Sequence, residues 1–145
     1  MKEFDKCFNT RRKINDIDED IYELRCAVGS PRNQIITDMP KGSGGTGNAL
    51  DNAVIKLEKL ERKRKLILSR LEEEWVVCES IMKACNISEK HKEVMRLRYF
   101  KGLSWSKCLK AIKEEYSEEK WNDNKIYRIH RRVLLICTKR TYNFG

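Results

Sequence analysis

Residues that interrupt helices are scarce in this sequence. Its 145 residues include two prolines and seven glycines, and both prolines and five of the glycines lie between Gly29 and Gly47. Because these two residue types break regular structure most strongly, residues 29–47 are predicted to be a flexible connecting loop. Neither residue type interrupts the stretch from Asn48 to Cys85, for which one long helix is predicted.

The sequence also lacks the spacing of a metal site. Its six cysteines include no C-x-x-C pair, and its two histidines, His91 and His130, are not spaced to complete a zinc site. We therefore expect neither a metal nor a cofactor. Cys108 and Cys137 fall on apolar helical stripes, where a reduced thiol behaves as a small hydrophobic group.

Long hydrophobic runs are missing as well. The longest is five residues, Val133 to Cys137, and the N-terminal residues contain no apolar core of a secretory signal. We expect a soluble protein of the reducing cytoplasm with no membrane partner.

No motif places a nucleophile beside a histidine and a carboxylate. The acidic runs 72–74 and 118–119 lie among lysines on amphipathic stretches and are expected to be solvated. An enzyme would need a metal site assembled from separated carboxylates, so the chain is predicted not to be an enzyme.

What is present is positive charge, and it is concentrated at one end. The net charge is +9, from 31 basic and 22 acidic residues, and it rises from 0 in residues 1–50 to +3 in 51–100 and +6 in 101–145. A basic surface is the electrostatic footprint of a protein that binds a polyanion.

Residues 1–28 are predicted to form an N-terminal helix with a narrow apolar seam. Apolar residues recur there at steps of three and four, with Arg11 interrupting: Phe4, Cys7, Ile14, Ile17, Ile21, Leu24 and Val28. Such a seam suits either one arm of an intramolecular hairpin or a helix that forms a homodimer. The acidic residues between 16 and 23 are expected to face solvent, or to contact a basic partner such as host RNA polymerase.

Residues 48–86 are predicted to form the long helix, with Asn48 as its cap and Asn86 at its end. The glycine string from Gly42 to Gly47 fits G-x-G-x-x-G, but it follows Pro40-Lys41 rather than a strand, so a dinucleotide site is not predicted. The seam of the helix is expected to contain Leu50, Val54, Leu57, Leu68, Leu71, Trp75, Cys78, Met82 and Cys85. Its charged run 61–65 is expected to be a solvated face, or else a patch that contacts phosphates.

Residues 87–145 contain three amphipathic patterns in succession. Ser88 and Ser104 are predicted N-caps of the first two, and Gly102 stands where a helix C-cap requires a positive φ. Trp105 is expected to be buried with its N–H bonded. A third helix, capped by Asn122 or Asp123, carries an apolar stripe of Ile126, Ile129, Val133, Ile136 and Cys137.

The opposite side of this third helix has the character of a recognition helix. Side chains suited to base edges in a DNA major groove are Asn124, Tyr127, Arg128 and Arg131. Side chains better placed for phosphates are Lys125, Arg132, Lys107 and Lys139. His130 borders the apolar stripe and is expected to be a packed edge residue.

The two segments LRYFKGLSWSKCLKAI and NKIYRIHRRVLLI resemble the helix-turn-helix of sigma-factor domain 4. They are more similar to phage late-transcription regulators of the ArpU/RinA type, with these matching residues: Leu97, Arg98, Tyr99, Gly102, Ser104, Trp105, Tyr127, Arg128, Ile129 and His130. The chain departs from that pattern at Cys108-Leu109, which replace Ile-Ala, at Val133, which replaces alanine, and in a longer link before the third helix. The resemblance implies a phage or prophage regulator of late genes that binds double-stranded DNA at the bacterial nucleoid.

The sequence therefore predicts an all-α protein, in which a long helical hairpin or coiled-coil arm precedes a helix-turn-helix like that of sigma-factor domain 4. The predicted function is sequence-specific DNA binding in transcription regulation. Two other functions stay open: a small terminase-like subunit for phage packaging, and a sigma-like adaptor that binds RNA polymerase without DNA.

Overall fold

The computed structural model describes residues 1–29 and 43–144, and these ranges contain helices and no strand. The helices are α1 (Lys2–Gly29), α2 (Ser43–Ala84), α3 (Glu89–Met95), α4 (Trp105–Glu115) and α5 (Asp123–Phe144). A π-helical turn, Arg96–Phe100, continues α3 directly. The prediction of an all-α fold is confirmed. Over the same ranges, no helix combines the length and apolar character needed to cross a membrane.

The start of α2 differs from the prediction. The helix begins at Ser43, five residues before Asn48, so Asn48 is not its cap and the glycine string continues into a helix. A glycine costs only about 1 kcal/mol in a helix interior, and extending a formed helix is far easier than nucleating one. Of the connector predicted at residues 29–47, residues 30–42 lie outside the described residues, and the prediction was wrong for residues 29 and 43–47, which are helical.

The chain divides into two compact units, Met1–Arg12 with Arg70–Gly145, and Lys13–Ser69. In the second unit, α1 and α2 run antiparallel. Asp18 accepts a hydrogen bond from Arg64 Nε at 2.5 Å, and Glu61, earlier on α2, pairs at 2.7 Å with Arg25, later on α1. Within this unit the hairpin arrangement is therefore the one observed.

The apolar seam of the second unit is buried in the middle of α1, half-buried at Leu24 and Val28, and exposed at the start of α2. Ile14, Ile17 and Ile21 are buried, as predicted, whereas Leu50 and Val54 are 38% and 42% exposed. The seam prediction was wrong at these two positions. The antiparallel register explains it, because the α1 seam ends at Val28 and residues before Leu57 have no α1 position opposite them.

In the first unit, the beginning of α1 packs on the end of α2. Phe4 and Cys7 are fully buried, and Cys7 Sγ lies 3.5 Å from the buried Cys78 Sγ. Thr10 takes the seam position beside Arg11, and its hydroxyl donates to Glu74 at 2.9 Å. The unit is thus wider than the predicted domain 87–145, because the first turns of α1 belong to its core.

Helix α2 ends where the sequence predicted. Asn86 has a φ of +57°, and the N–H groups of Asn86 and Ile87 donate to the carbonyls of Lys83 and Met82, both at 3.1 Å. This is the hydrogen-bond pattern of a Schellman motif, and the contact it favours is between Ile87 and Met82, which are both buried. The Ser88 side chain then caps α3.

Two more predicted boundaries are confirmed between the π-helical turn and α4. Gly102 has a φ of +66°, and the N–H of Leu103 donates to the Leu97 carbonyl at 3.1 Å across it. Ser104 caps α4 by accepting from the N–H of Lys107.

Helices α3, α4 and α5 contact one another pairwise. Their shared core consists of Val94, Met95, Leu97, Cys108, Ile112, Trp121, Ile126, Ile129, Val133 and Cys137. Ile136, predicted on the α5 stripe, is instead 36% exposed. At 100° per residue it lies about 80° from Ile126, at the edge of the stripe.

Candidate nucleic-acid interface

Helix α5 begins with a side-chain cap. Asn122 Oδ1 accepts a hydrogen bond from the Lys125 N–H at 2.8 Å, and the Asn122 carbonyl accepts from the Ile126 N–H at 3.2 Å. Of the two predicted caps, Asn122 is therefore the one used. The cap fixes the first turn, which carries Asn124, and the candidates Tyr127, Arg128 and Arg131 follow in the next two turns.

The face of α5 opposite its buried stripe is exposed and basic. The helix carries six basic residues and one acidic residue, Asp123. The polar residues predicted to meet base edges, Asn124, Arg128 and Arg131, are all exposed. None of the three forms a hydrogen bond or ion pair with another side chain in the described parts of the chain.

Tyr127 is the predicted base-reading residue with a packing contact of its own. Its ring meets the Trp105 ring edge-to-face, with centroids 5.2 Å apart, and 42% of the residue remains exposed. It therefore links the basic face to α4 while presenting part of its surface to solvent.

The four predicted phosphate-binding residues fall into two groups. Arg132 and Lys139 on α5 and Lys107 on α4 are exposed. Lys125 is half-buried, and its ammonium group donates to Glu119 at 3.0 Å and to the Lys120 carbonyl at 3.3 Å. The same group lies 4.3 Å from the centre of the Trp121 ring. Lys125 thus has an anionic partner within the protein, which the sequence did not indicate.

That partner belongs to the link between α4 and α5, residues 116–122. Trp121 is buried, and its indole N–H donates to the Tyr116 carbonyl at 3.2 Å. Glu119 also pairs with Lys90 of α3, whose ammonium group lies over the Tyr116 ring. The link is therefore a packed structure. Two aromatic residues in an otherwise polar stretch were the signal for it.

Arg98, one of the residues that carry the family resemblance, has a structural position. Its guanidinium lies 4.8 Å from the centre of the Phe8 ring and 4.7 Å from that of Trp105. It also donates to the Leu103 carbonyl at 2.9 Å. The guanidinium group thus connects α1 to the start of α4 through cation–π contacts and one charge-assisted hydrogen bond.

His130 is a packed edge residue, as predicted. Its Nε2 lies 2.5 Å from the Tyr99 hydroxyl, and its ring stacks on Tyr99 and meets Trp105 edge-to-face. Burial, reinforced by the positive charges of Arg98, the N-terminus and Arg131, lowers the pKa of His130 to about 4. The side chain is therefore neutral at physiological pH.

Trp105 differs from its prediction in two respects. The ring is only half-buried, and its N–H has no hydrogen-bond acceptor among the described residues. Partial exposure leaves that N–H accessible to water, so no protein acceptor is required.

A chain of touching rings joins α1 and α2 to α5 within this unit. Phe4 contacts Trp75 and Tyr99, with centroids 6.4 and 5.1 Å apart, and Tyr99 leads through His130 to Trp105. The N-terminal residues therefore help to position α5. Sequence reasoning placed Phe4 only in the helical seam and did not connect it to the candidate interface.

The electrostatic environment on the α3 side of α5 is positive. The pKa of His91, on α3, is lowered first by burial and then by the charges of Arg132, Lys90 and Lys125. The three charges that lower the pKa of His91 thus come from both α3 and α5. In the described ranges, no three His, Cys, Asp or Glu side chains converge to hold a metal ion.

Comparison of the chain with protein-family models, with curated proteins and with solved structures yields no match.

Proposed function

We propose that this protein binds double-stranded DNA by placing the basic face of α5 in the major groove. The observation that carries the proposal is the division of α5 into two faces. One is buried against α3 and α4, and the other presents Asn124, Arg128 and Arg131 to solvent without a side-chain partner among the described residues.

The length of the polar face suits a groove contact. It runs from Asn124 to Arg132. Beyond it, the exposed surface of the helix includes the apolar residue Leu135, which is 55% exposed. At 1.5 Å per residue, these nine residues span roughly 14 Å. A recognition helix uses its N-terminal turns to reach base edges, as this placement requires.

The side-chain chemistry divides the contacts by role. Asn124 can pair with adenine and Arg128 or Arg131 with guanine through two hydrogen bonds each, while Tyr127 presents a ring edge beside them. Arg132, Lys139 and Lys107 are assigned to phosphates, which hold the protein on the duplex without reading sequence. Lys125 must first exchange its carboxylate partner, Glu119, for a phosphate before it can contact DNA.

We further propose that DNA binding serves transcription regulation. This step relies on the motif resemblance to ArpU/RinA-type regulators, from which the phage or prophage origin, the late-gene role and a contact with host RNA polymerase would follow. We also propose homodimerisation through the helical arms, because dimeric DNA-binding proteins contact two half-sites.

The decisive experiment is a DNA-binding selection followed by titration of the selected site at several salt concentrations. Arg128→Ala should cost about 1–3 kcal/mol on that site and relax the preference at one base pair. The matched control is Lys56→Ala, which removes one exposed charge from α2 in the unit Lys13–Ser69. If both variants bind every sequence equally well, α5 does not read the groove.

Mass in solution distinguishes a monomer or dimer, expected of a regulator, from a packaging ring.

A further inference from the structure

Two lysines from different helices converge on one carboxylate beside the proposed groove-binding face. Lys125 of α5 reaches Glu119 Oε2 at 3.0 Å, and Lys90 of α3 pairs with Glu119 Oε1. The three side chains are 30–35% exposed. Two separated cations that share one carboxylate hold an excess of positive charge around a position that accepts an anion.

The surroundings add cations to this position. Arg132 lies seven residues after Lys125, two helical turns further along the same side of α5, and is exposed. Its charge acts on His91 together with those of Lys90 and Lys125. Three positive charges and one carboxylate leave a net charge of about +2, so this position retains an excess of positive charge that attracts a further anion.

We propose that Lys90 and Lys125 form a phosphate-binding site that Glu119 fills in the DNA-free protein. Arg132, whose charge acts on His91 together with those of the two lysines, adds a third cation to the surroundings. On binding, a backbone phosphate of DNA displaces Glu119, so that the carboxylate acts as an internal competitor. This second step rests on the proposed DNA-binding function, whereas the phosphate site itself does not.

The site has a regulatory consequence. Because both ion pairs are partly solvated, breaking them costs little, in the range measured for surface pairs. Glu119 therefore weakens DNA binding modestly, because an incoming phosphate must displace it. A bound phosphate monoester or diester would meet the same ammonium groups, so free phosphate and DNA must be tested separately.

The first arm of the test uses inorganic phosphate and needs no DNA. Phosphate is titrated into the wild-type protein while the NMR signals of the His91 ring and of the lysine side chains are followed, with chloride at equal ionic strength as the control. Phosphate should shift the signals of Lys90, Lys125 and His91, and the shifts should saturate. The Glu119→Gln variant should bind phosphate more tightly than the wild type. Shifts that match those in chloride, in the wild type and in the variant, would overturn the site.

The second arm measures DNA affinity at fixed low salt. Glu119→Gln should bind about two- to fivefold more tightly than Glu118→Gln, an exposed neighbour whose substitution changes the net charge equally. The gain should vanish when Lys125→Ala is added to both. Equal affinity of the two glutamine variants, or weaker binding by Glu119→Gln, would show that Glu119 only holds the link in place. If phosphate binds as expected in the first arm but no variant binds DNA, the DNA-binding function is rejected and the phosphate site is supported.

Discussion

The hydroxyl of Tyr99 lies 2.5 Å from Nε2 of His130, and this contact ties the π-helical turn to the middle of α5. Burial raises the pKa of Tyr99 to about 12, with Asp5 adding to the effect, while the pKa of His130 falls to about 4. Both groups are therefore neutral at physiological pH. The tyrosine hydroxyl donates to Nε2 when the histidine proton is on Nδ1, and Nε2–H donates to the hydroxyl oxygen in the other tautomer.

This pair predicts a loss of stability in acid. The pKa of His130 is about 4 in the folded protein and about 6.5 in an unfolded chain. Between these values the unfolded state binds more protons, so stability is complete above about pH 6.5 and decreases as the pH falls towards 4. His130→Gln can still accept from Tyr99 but does not titrate. Its free energy of unfolding in urea should therefore decrease less between pH 7 and 4.5 than that of the wild type.

The pKa of His91 is also lowered, so it contributes with the same sign. The comparison is therefore repeated with His91→Gln present in both proteins, so that they differ only at position 130. The carboxylates then contribute equally to both pH profiles and do not affect the difference between them. Parallel pH profiles with and without His130 would contradict the assignment.

The fully buried Phe4 predicts that the N-terminal turn of α1 stabilises the helices of the candidate interface. Phe4→Ala removes contacts with Trp75 and Tyr99 and should cost about 3–5 kcal/mol in urea unfolding. Hydrogen exchange of the α5 amides should accelerate with it. The control is Val76→Ala on α2, which is 59% exposed and should change stability by less than about 0.5 kcal/mol. Unchanged exchange in α5 would mean that the N-terminal turn packs without supporting that helix.

Gly102 offers a test of a close approach between distant parts of the chain. Its φ of +66° disfavours any side chain, and a Cβ there would lie 2.4 Å from Arg11 Cγ. Arg11 meanwhile donates to the Phe100 carbonyl at 2.6 Å. Gly102→Ala should cost about 1–2 kcal/mol for the backbone alone, with more for displacing Arg11. In an Arg11→Ala background the cost should fall towards the backbone value. A cost that is the same in both backgrounds would show that Arg11 moves aside freely.

Local features of the sequence predicted the helix boundaries well in the C-terminal third. Ser88, Asn86, Gly102 and Ser104 each act through hydrogen bonds within six residues, so their effect can be recognised from neighbours along the chain. Heptad spacing likewise identified the buried side of α1. At the N-terminal end of α2, glycine content was a poorer guide, because propensity is a weak constraint on a helix that is already formed.

Contacts between distant residues could not be predicted in the same way. Periodicity placed Lys125 on a polar face, but only the folded link shows that Glu119 is its partner, six residues away across a chain reversal. Nor does any pattern connect Phe4 to Tyr99 or Arg11 to Phe100, which are brought together by contacts between the first turns of α1 and the π-helical turn. The exposed face of α5 could be predicted from the sequence, whereas the ion pair between Lys125 and Glu119 could not.

The pairing of Arg11 with Phe100, 89 residues later in the chain, has a consequence during synthesis. A ribosome that adds about 5–20 residues per second needs roughly 4–18 seconds to produce the second partner after the first. During that interval, until Trp75 and Cys78 have been made, the apolar side of Phe4 and Cys7 has no part of α2 to cover it. The nascent N-terminal turn is therefore a candidate binding site for chaperones, and its docking is expected to be a late step in folding, since long-range contacts form slowly.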